Sequence, residues 1–161
     1  MNKKTQILES LKDHQITYTL TDHAPVHFVE DIDIYNARTP GVQTKNILLW
    51  NKKTHQMILV ISDAKKKLDI KNISKLSKIK NLSFVPADKI LQYFSAEPGY
   101  VSPLLLIHSN VITIPVVYID QILLESDTLA FHPGTNTATI DIAREDLIKL
   151  FNMYKIKYYT Y

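Results

Sequence analysis

Glycine is confined to three places in this chain. Of 161 residues only three are glycine, and each directly follows a proline: Pro40-Gly41, Pro98-Gly99 and Pro133-Gly134. Proline fixes its own φ, whereas glycine accepts φ > 0 and lets other groups approach the main chain closely. The sequence therefore predicts three stiff turns. These turns either converge on one site or close three unrelated hairpins, and the pattern alone leaves both arrangements open.

Short apolar runs alternate irregularly with helical patterns between these turns. Helical spacing predicts helices over residues 5–13, 28–36, 65–80, 87–94 and 144–154. Apolar or alternating runs predict strands over residues 16–20, 47–50, 57–61, 82–86, 129–131 and 137–142. Two further runs, 101–108 and 111–119, flank Ser109-Asn110 and predict a central hairpin. We therefore expect an α+β fold, a mixed and largely antiparallel β-sheet surrounded by helices, in one domain over residues 1–161.

Composition removes several kinds of chemistry. The chain has no cysteine, which excludes thiol nucleophiles and thiolate metal sites. His23 and His27 are four residues apart, but Pro25 between them argues against a shared helix face, so we expect no metal site. No Gly-x-Ser-x-Gly elbow, His-Glu-x-x-His motif or P-loop is present. No stretch approaches the roughly 18 apolar residues of a membrane span, so we expect a cytoplasmic chain without a membrane partner.

A polar segment with one lysine joins the first Pro-Gly turn to an apolar strand. Residues 42–46 read Val-Gln-Thr-Lys-Asn and are followed by Ile47–Trp50. Lys45 would then stand where a buried strand begins. It is either an edge residue that extends its ammonium into solvent or a fixed cation beside a pocket.

The most unequal charge distribution lies between residues 65 and 80. This stretch contains one acid, Asp69, with apolar residues interleaved at helical spacing, and seven lysines: Lys65, Lys66, Lys67, Lys71, Lys75, Lys78 and Lys80. Such a segment is either a solvated helix face or a track for a phosphate backbone. The net charge of +3 permits nucleic-acid contact without requiring it.

The other two Pro-Gly turns carry polar residues of the kind found in pockets. Residues 97–103 contain a Gly-x-x-x-Pro loop from Gly99 to Pro103, and residues 131–139 present His132 and Asn136 around a turn. Loops of this kind can direct backbone N–H groups at a developing oxyanion. Taken singly, however, Pro-Gly turns are common in sheet proteins.

Four segments in this order resemble the YbaK/ProX family of aminoacyl-tRNA editing domains, which is related to the insertion domain of bacterial prolyl-tRNA synthetase. They are Pro-Gly-x-x-x-Lys-Asn at 40–46, Pro-Gly-x-Val-Ser-Pro at 98–103, Val-Val-Tyr-Ile-Asp at 116–120 and His-Pro-x-x-Asn-x-Ala-Thr at 132–139. The similarity extends from about Glu30 to Phe151. The subgroup it resembles most is the free-standing ProX (PrdX-like) proteins, which hydrolyse alanine wrongly attached to proline tRNA.

The resemblance implies an aminoacyl-tRNA deacylase that uses no covalent nucleophile, metal or other cofactor and is assisted by the 2′-hydroxyl of the terminal ribose of the tRNA. Lys45 matches the essential lysine of the family, Gly99 opens its Gly-x-x-x-Pro loop and His132 matches its pocket histidine, so we expect these three to be catalytic. The expected substrate-binding residues are Asn46, Tyr100, Val101, Ser102, Pro103, Gly134 and Asn136. The expected tRNA-binding residues are Lys65, Lys66, Lys67, Lys71, Lys75 and Lys78.

The implied substrate is Ala-tRNA(Pro), cleaved in trans. Within the same class, Cys-tRNA(Pro) or a Ser-tRNA are alternatives, because methyl-sized differences in an apolar pocket alter discrimination by only about 1–3 kcal/mol. From another class, the chain could be a module that senses aminoacyl-tRNA or an amino acid without turnover. The implied partners are the acceptor end of mischarged tRNA(Pro) and, as a second candidate, prolyl-tRNA synthetase.

Overall fold

The computed structural model describes residues 2–26, 31, 39–107 and 115–161. The strands with described bounds are β1 (Tyr18–Asp22), β2 (Val42–Asn51), β3 (Met57–Asp63), β4 (Leu82–Phe84), β5 (Val116–Ile119), β6 (Thr128–Phe131), β7 (Ala138–Ala143) and β8 (Tyr158–Thr160). The helices are α1 (Lys3–Asp13), α2 (Ile70–Ser77), α3 (Ala87–Phe94) and α4 (Arg144–Met153), and short 3-10 turns span Pro98–Tyr100, Pro103–Leu105 and Gln121–Glu125. Among these helices, none combines the length and apolar character needed to cross a membrane.

The strands form one mixed sheet in the order β1-β7-β6-β2-β3-β5-β8, with β4 also paired to β2. The pairs β1–β7, β6–β7, β2–β3 and β2–β4 are antiparallel. The pairs β2–β6, β3–β5 and β5–β8 are parallel. The predicted α+β class and mixed sheet are confirmed, and the strands predicted at 47–50 and 57–61 and at 129–131 and 137–142 form the antiparallel pairs β2–β3 and β6–β7.

The two faces of the sheet pack against different helices. The larger core contains Ile7 and Leu11 of α1, Phe94 of α3 and Leu150 and Phe151 of α4, packed against one face. The smaller core lies on the other face, where strand residues pack against Ile73 of α2. Along β2 the residues alternate between the faces, as strand geometry requires. Leu48 and Trp50 belong to the larger core, whereas Ile47 and Leu49 face the smaller one.

β2 begins earlier than its apolar run predicts. Val42 and Gln43 pair with Leu129 and Ala130 of β6, and this pairing extends the strand through the polar residues that precede Ile47. Lys45 therefore lies within the strand, opposite Ser62 of β3, and not at its beginning.

The central hairpin predicted from residues 101–119 is wrong. Residues 101–107 are all buried and include the 3-10 turn Pro103–Leu105. Their continuous apolar run reflects packing on every side, and Pro103 has no N–H for a strand ladder. β5 pairs instead with β3 and β8, and β8 is a strand that the pattern did not predict.

Two other predicted helices differ in outcome. The helical segment predicted at 65–80 is helical only from Ile70 to Ser77, because Asp69 caps its start by accepting from the Asn72 N–H at 3.0 Å. Lys78 ends it in the left-handed conformation. The helix predicted at 28–36 falls, apart from residue 31, outside the described residues.

Candidate active site

Three neighbouring parallel strands end at the same edge of the sheet, and each contributes a polar group there. Ser62 lies near the end of β3, Asp120 directly follows β5 and Tyr161 directly follows β8. Lys45 joins them because β2 runs antiparallel to β3 and pairs Lys45 with Ser62. We call Lys45, Ser62, Lys66, Asp120 and Tyr161 the polar edge.

Lys45 is held within the fold. Its Nζ donates a hydrogen bond to the backbone carbonyl of Lys66, in the turn that follows β3. Partial burial lowers the pKa of Lys45, and the nearby Asp63 carboxylate opposes that shift. Of the two sequence interpretations, the arrangement matches a fixed cation better than an ammonium extended into solvent.

The ammonium of Lys66 has a buried partner. Lys66 Nζ lies 2.7 Å from Oδ2 of Asp120, whose side chain is only 3% exposed. The same ammonium lies 5.4 Å from the centre of the Tyr161 ring. The hydrogen bond to Asp120 raises the pKa of Lys66. The Lys66 side chain itself is 51% exposed, so the pair lies at the protein surface, and the predicted contact of Lys66 with tRNA stays a prediction.

The remaining predicted tRNA-binding lysines are all exposed: Lys65, Lys67, Lys71, Lys75 and Lys78. Lys71 and Lys75 are four positions apart on α2 and Lys78 follows at its C-cap, so the three share one side of the helix. Like charges at this spacing weaken an isolated helix slightly. A shared basic side is compatible with a phosphate contact, which stays a prediction.

The first Pro-Gly turn is built around a buried carboxyl group. The Gly41 N–H donates to Oδ1 of Asp141 at 3.0 Å. A Cβ on Gly41 would lie 2.4 Å from that oxygen and 2.9 Å from Ala130 N, so only glycine fits. Asp141 is 3% exposed, its Oδ2 has no hydrogen-bond partner among the described residues, and burial raises its pKa.

The strand register places Asp141 and Lys45 on the same face of the sheet. Gln43 pairs with Ala130, and Ala130 pairs with Asp141 on the next strand. Lys45 lies two residues beyond Gln43 on β2, so alternation returns it to the face shared by Gln43 and Asp141. With strands about 4.8 Å apart, the two strands that carry these residues lie roughly 10 Å from each other.

His132 follows β6 and is fixed by the strand opposite. Its Nδ1 lies 3.0 Å from the carbonyl oxygen of Ala138, so Nδ1 carries the proton and donates it. Burial lowers the pKa of His132, which favours a neutral ring with the Nε2 lone pair unprotonated. The His23 ring lies 6.2 Å from it and is itself 2.9 Å from Thr139 Oγ1 through Nε2.

Asn136 and Gly134, which follow His132, hold the loop in place and do not hold the imidazole ring of His132. Asn136 is buried. Its side-chain Nδ2 donates to the Val26 carbonyl at 3.3 Å, and its backbone carbonyl accepts from the Val26 N–H at 3.0 Å. Gly134 has φ +73°, and a Cβ there would lie 2.6 Å from Lys3 Cγ of α1. Gly134 therefore faces α1, and its predicted substrate contact stays a prediction.

The second Pro-Gly turn has different surroundings from the other two. A Cβ on Gly99 would meet nothing within 4 Å, whereas Val101, Ser102 and Pro103 are buried. Within the part of the chain that the structure describes, the Ser102 Oγ and the Asn46 Oδ1 are buried without a hydrogen-bond partner. The hydrogen bonds of Lys45 and His132 go to Lys66 and Ala138, so neither connects them to this loop. The predicted roles of Gly99, Tyr100 and these neighbours stay predictions.

Sequence reasoning missed Asp120 and Asp141 as site residues. Asp120 ends an apolar run, and Asp141 lies between isoleucines in an alternating strand, a pattern that usually indicates a solvent-facing side chain. Each is buried instead. The available signal was an acid in an otherwise apolar strand. Among the described residues, no three His, Asp or Glu side chains are grouped as metal ligands would be.

Comparison with known proteins places this arrangement in a family. Residues 23–150 match the model of the aminoacyl-tRNA editing domain. The chain is 30% identical over 150 residues to the prolyl-tRNA editing protein ProX of Acetoanaerobium sticklandii, covering 93% of this chain and 91% of that one. It is 27% identical over 147 residues to prolyl-tRNA synthetase associated domain-containing protein 1 of Danio rerio, covering 91% and 79% of the two chains.

A solved structure shares the fold. The crystal structure of a candidate trans-editing enzyme for prolyl-tRNA synthetase superimposes with a TM-score of 0.75 at 14% identity, covering 99% of this chain and 96% of that one. The family model spans most of the chain, and the predicted resemblance is thereby confirmed. The chain belongs to the aminoacyl-tRNA editing domain family.

Proposed function

We propose that the chain, acting as a single editing domain, hydrolyses Ala-tRNA(Pro) in trans. Its family membership makes it an aminoacyl-tRNA deacylase. The finer assignment is supported by the similarity to a protein named for prolyl-tRNA editing. The structural observation that carries it is the fixed ammonium of Lys45 on the same sheet face as Asp141, together with a buried His132 whose lowered pKa favours a neutral ring.

The reaction needs only water and the ester. Water attacks the carbonyl carbon, the bond from that carbon to the ribose oxygen breaks, and the products are free alanine and tRNA with its terminal hydroxyl restored. In this proposal Lys45 anchors a phosphate or carbonyl oxygen of the aminoacyl-adenosine end. Backbone N–H groups of the loop from Gly99 to Pro103 stabilise the oxyanion. His132, with Nδ1 held by Ala138, presents a neutral Nε2 that positions the substrate.

The tRNA would lie along the exposed lysines that precede and line α2. Lys67, Lys71 and Lys75 are suited to backbone phosphates, which position a nucleic acid without reading its sequence. The expected location is the cytoplasm, where aminoacyl-tRNA is made and used. Discrimination against Pro-tRNA(Pro) would come from the size of the pocket, since a proline ring overlaps where an alanine methyl group fits.

The test is a deacylation assay on purified protein with tRNA(Pro) charged with alanine, serine, cysteine or proline. We expect Ala-tRNA(Pro) to be cleaved fastest and Pro-tRNA(Pro) to be spared. Lys45→Ala should lower the rate by about 10²- to 10³-fold, the usual cost of losing one electrostatic contact in an active site. Lys52→Ala, in the exposed turn between β2 and β3, is the matched control and should leave the rate unchanged.

Three results would contradict the proposal in different ways. An inactive wild type that still binds the charged tRNA would indicate a sensing module. Faster cleavage of the cysteine or serine ester would change the substrate but not the reaction. Full activity of Lys45→Ala would remove the lysine from the site.

A further inference from the structure

The turn between β3 and α2 is fixed at both ends, and its geometry determines where Lys45 finds its partner. At its start, the Ala64 N–H donates to the Gln43 carbonyl of β2 at 3.0 Å. Asp63 closes the turn, with its side chain accepting from Lys65 N–H at 2.8 Å and its carbonyl from Lys66 N–H at 3.1 Å. The carbonyl of Lys66 then meets the Lys45 ammonium.

The far end of this turn is held by the side chain of Lys66. Its Nζ lies 2.7 Å from Asp120, which directly follows the neighbouring strand β5, and 5.4 Å from the centre of the Tyr161 ring. Asp120 is itself fixed, since its N–H donates to the Ile61 carbonyl at 2.8 Å. One residue thus uses its carbonyl to hold Lys45 and its ammonium to hold a buried carboxylate.

We propose that Lys66 is a positioning residue for Lys45 and not a tRNA contact. The inference rests on the proposed function, in which Lys45 anchors the substrate. A lysine ammonium sits on a flexible four-carbon stem, so its position is set by what receives its hydrogen bond. The ion pair with Asp120 fixes that receiving carbonyl, and the Tyr161 ring lies 5.4 Å from the same ammonium.

The position of an anchoring group matters because small displacements are costly. A misplacement of about 1 Å in a catalytic arrangement can lower the rate by about 10²-fold. Loss of the Lys66 ammonium should therefore reduce turnover although Lys66 itself never touches the substrate. Loss of a phosphate contact would instead weaken tRNA binding and its dependence on salt.

The experiment compares five variants on Ala-tRNA(Pro), with kcat, KM and the salt dependence of tRNA binding measured for each. Lys66→Met removes the ammonium, and Lys66→Arg keeps a cation for Asp120. Lys66→Met combined with Asp120→Asn avoids leaving a buried carboxylate unpaired, so it tests positioning without that folding penalty. Lys67→Met removes the neighbouring exposed lysine, and Lys52→Met removes a lysine far along the sheet.

We expect Lys66→Met and the double variant to lower kcat by about 10- to 100-fold while KM and the salt slope change little. Lys66→Arg should recover most of the activity. Lys67→Met should instead raise KM and reduce the salt slope by about 0.7–0.9. Lys52→Met should match the wild type. A Lys66→Met variant that raises KM, flattens the salt slope and keeps kcat would overturn the inference.

A readout that needs no activity separates this inference from the proposed function. The Lys45 ammonium can be titrated by NMR with lysine labelled at Cε. The charged group that acts on its pKa is Asp63, and the polar edge adds the titratable groups Lys66, Asp120 and Tyr161. Lys66→Met should raise the pKa of Lys45, because the loosened turn rehydrates an ammonium whose pKa is lowered by burial. If the wild type proves inactive, this titration still decides the positioning role, and an unchanged titration in the double variant would refute it.

Discussion

Gly41 and Asp141 show how a single glycine can be required by its neighbours and not by its own dihedral angles. Gly41 is not among the residues with positive φ, yet a Cβ there would overlap the Asp141 carboxylate and the backbone of Leu129 and Ala130. The backbone atoms belong to paired strands and cannot shift at little cost. The carboxyl group of Asp141 would also lose the hydrogen bond it accepts from Gly41.

Gly41→Ala is therefore expected to destabilise the fold by about 1–3 kcal/mol, the usual cost of overpacking a buried position. Gly99→Ala is the matched control for stability, because its Cβ meets nothing and its φ is compatible with alanine. Gly99→Ala should be neutral or should stabilise the fold by up to about 1 kcal/mol, because alanine lowers the conformational entropy of the unfolded chain. Urea denaturation of both variants checks this, and equal effects on stability would show that the fit around Gly41 is unimportant.

His132 makes stability depend on pH in a direction that its burial fixes. Its pKa in the folded protein is lowered, so below the ordinary value near 6.5 the unfolded chain binds a proton that the folded chain resists. The stability contributed by the neutral ring is complete above about pH 6.5 and is lost as pH falls toward the folded pKa.

Denaturation from pH 5 to 8 should show this loss in the wild type, and His132→Asn should reduce the slope below pH 6.5. Asparagine keeps an N–H donor near the Ala138 carbonyl but has no proton to gain in this range. An NMR titration of the His132 ring provides an independent check. A midpoint above 6.5, or an identical slope in the variant, would contradict the assignment of a buried, neutral imidazole.

At the scale of elements, α2 combines a buried side with a basic one. Ile73 packs into the smaller core, while Lys71 and Lys75 remain exposed, with no acid in the first turn to compensate them. Asp69 serves as the cap and lies at the N-terminus, where a negative charge is favourable. The helix therefore has an exposed basic side opposite its buried one.

Replacing Lys71 and Lys75 together by glutamate should weaken tRNA binding and flatten its salt dependence. Each lost phosphate contact lowers the slope of log K against log salt by about 0.7–0.9. Lys53→Glu, in the turn between β2 and β3, changes the net charge without touching α2 and serves as the control. Filter binding across a range of salt concentrations gives the slopes. A slope shared by the double variant and the wild type would mean that this side of α2 is only solvated.

Elements were predictable where local pattern and tertiary environment agree. The helix α3 at Ala87–Phe94 matches its prediction because an amphipathic pattern between Pro86 and Ser95 leaves little choice. The strand predicted to include residues 101–107 was wrong, because an apolar run that is buried on all sides has the same sequence pattern in a strand and in a series of turns. β8 was missed because a strand of only three residues, two tyrosines and a threonine that are exposed or half-buried, is too short to show a periodicity.

For the whole molecule, the order of helical and strand patterns predicted the fold class, and the family resemblance pointed to Lys45 and His132 but not to the groups around them. Lys66 and Asp120 lie near Lys45, and Asp141 shares its sheet face, only through strand order and register, which no local pattern contains. Conversely, the three Pro-Gly turns have similar sequences but different surroundings. Gly41 lies against the buried carboxyl group of Asp141, Gly99 faces open space and Gly134 faces α1.

The polar edge also sets a condition on how the molecule becomes active. Its members come from β2, the end of β3, the turn after β3, and the residues that follow β5 and β8. The contacts of Lys66 with Lys45, Asp120 and Tyr161 therefore join parts of the chain that are distant in sequence. Long-range contacts form late, because closing large loops must precede them. A partly folded chain can hold α1 or the β2–β3 hairpin and still lack the edge. Catalytic competence would then arrive only with the last strand to dock, and activity would report complete folding more faithfully than secondary structure does.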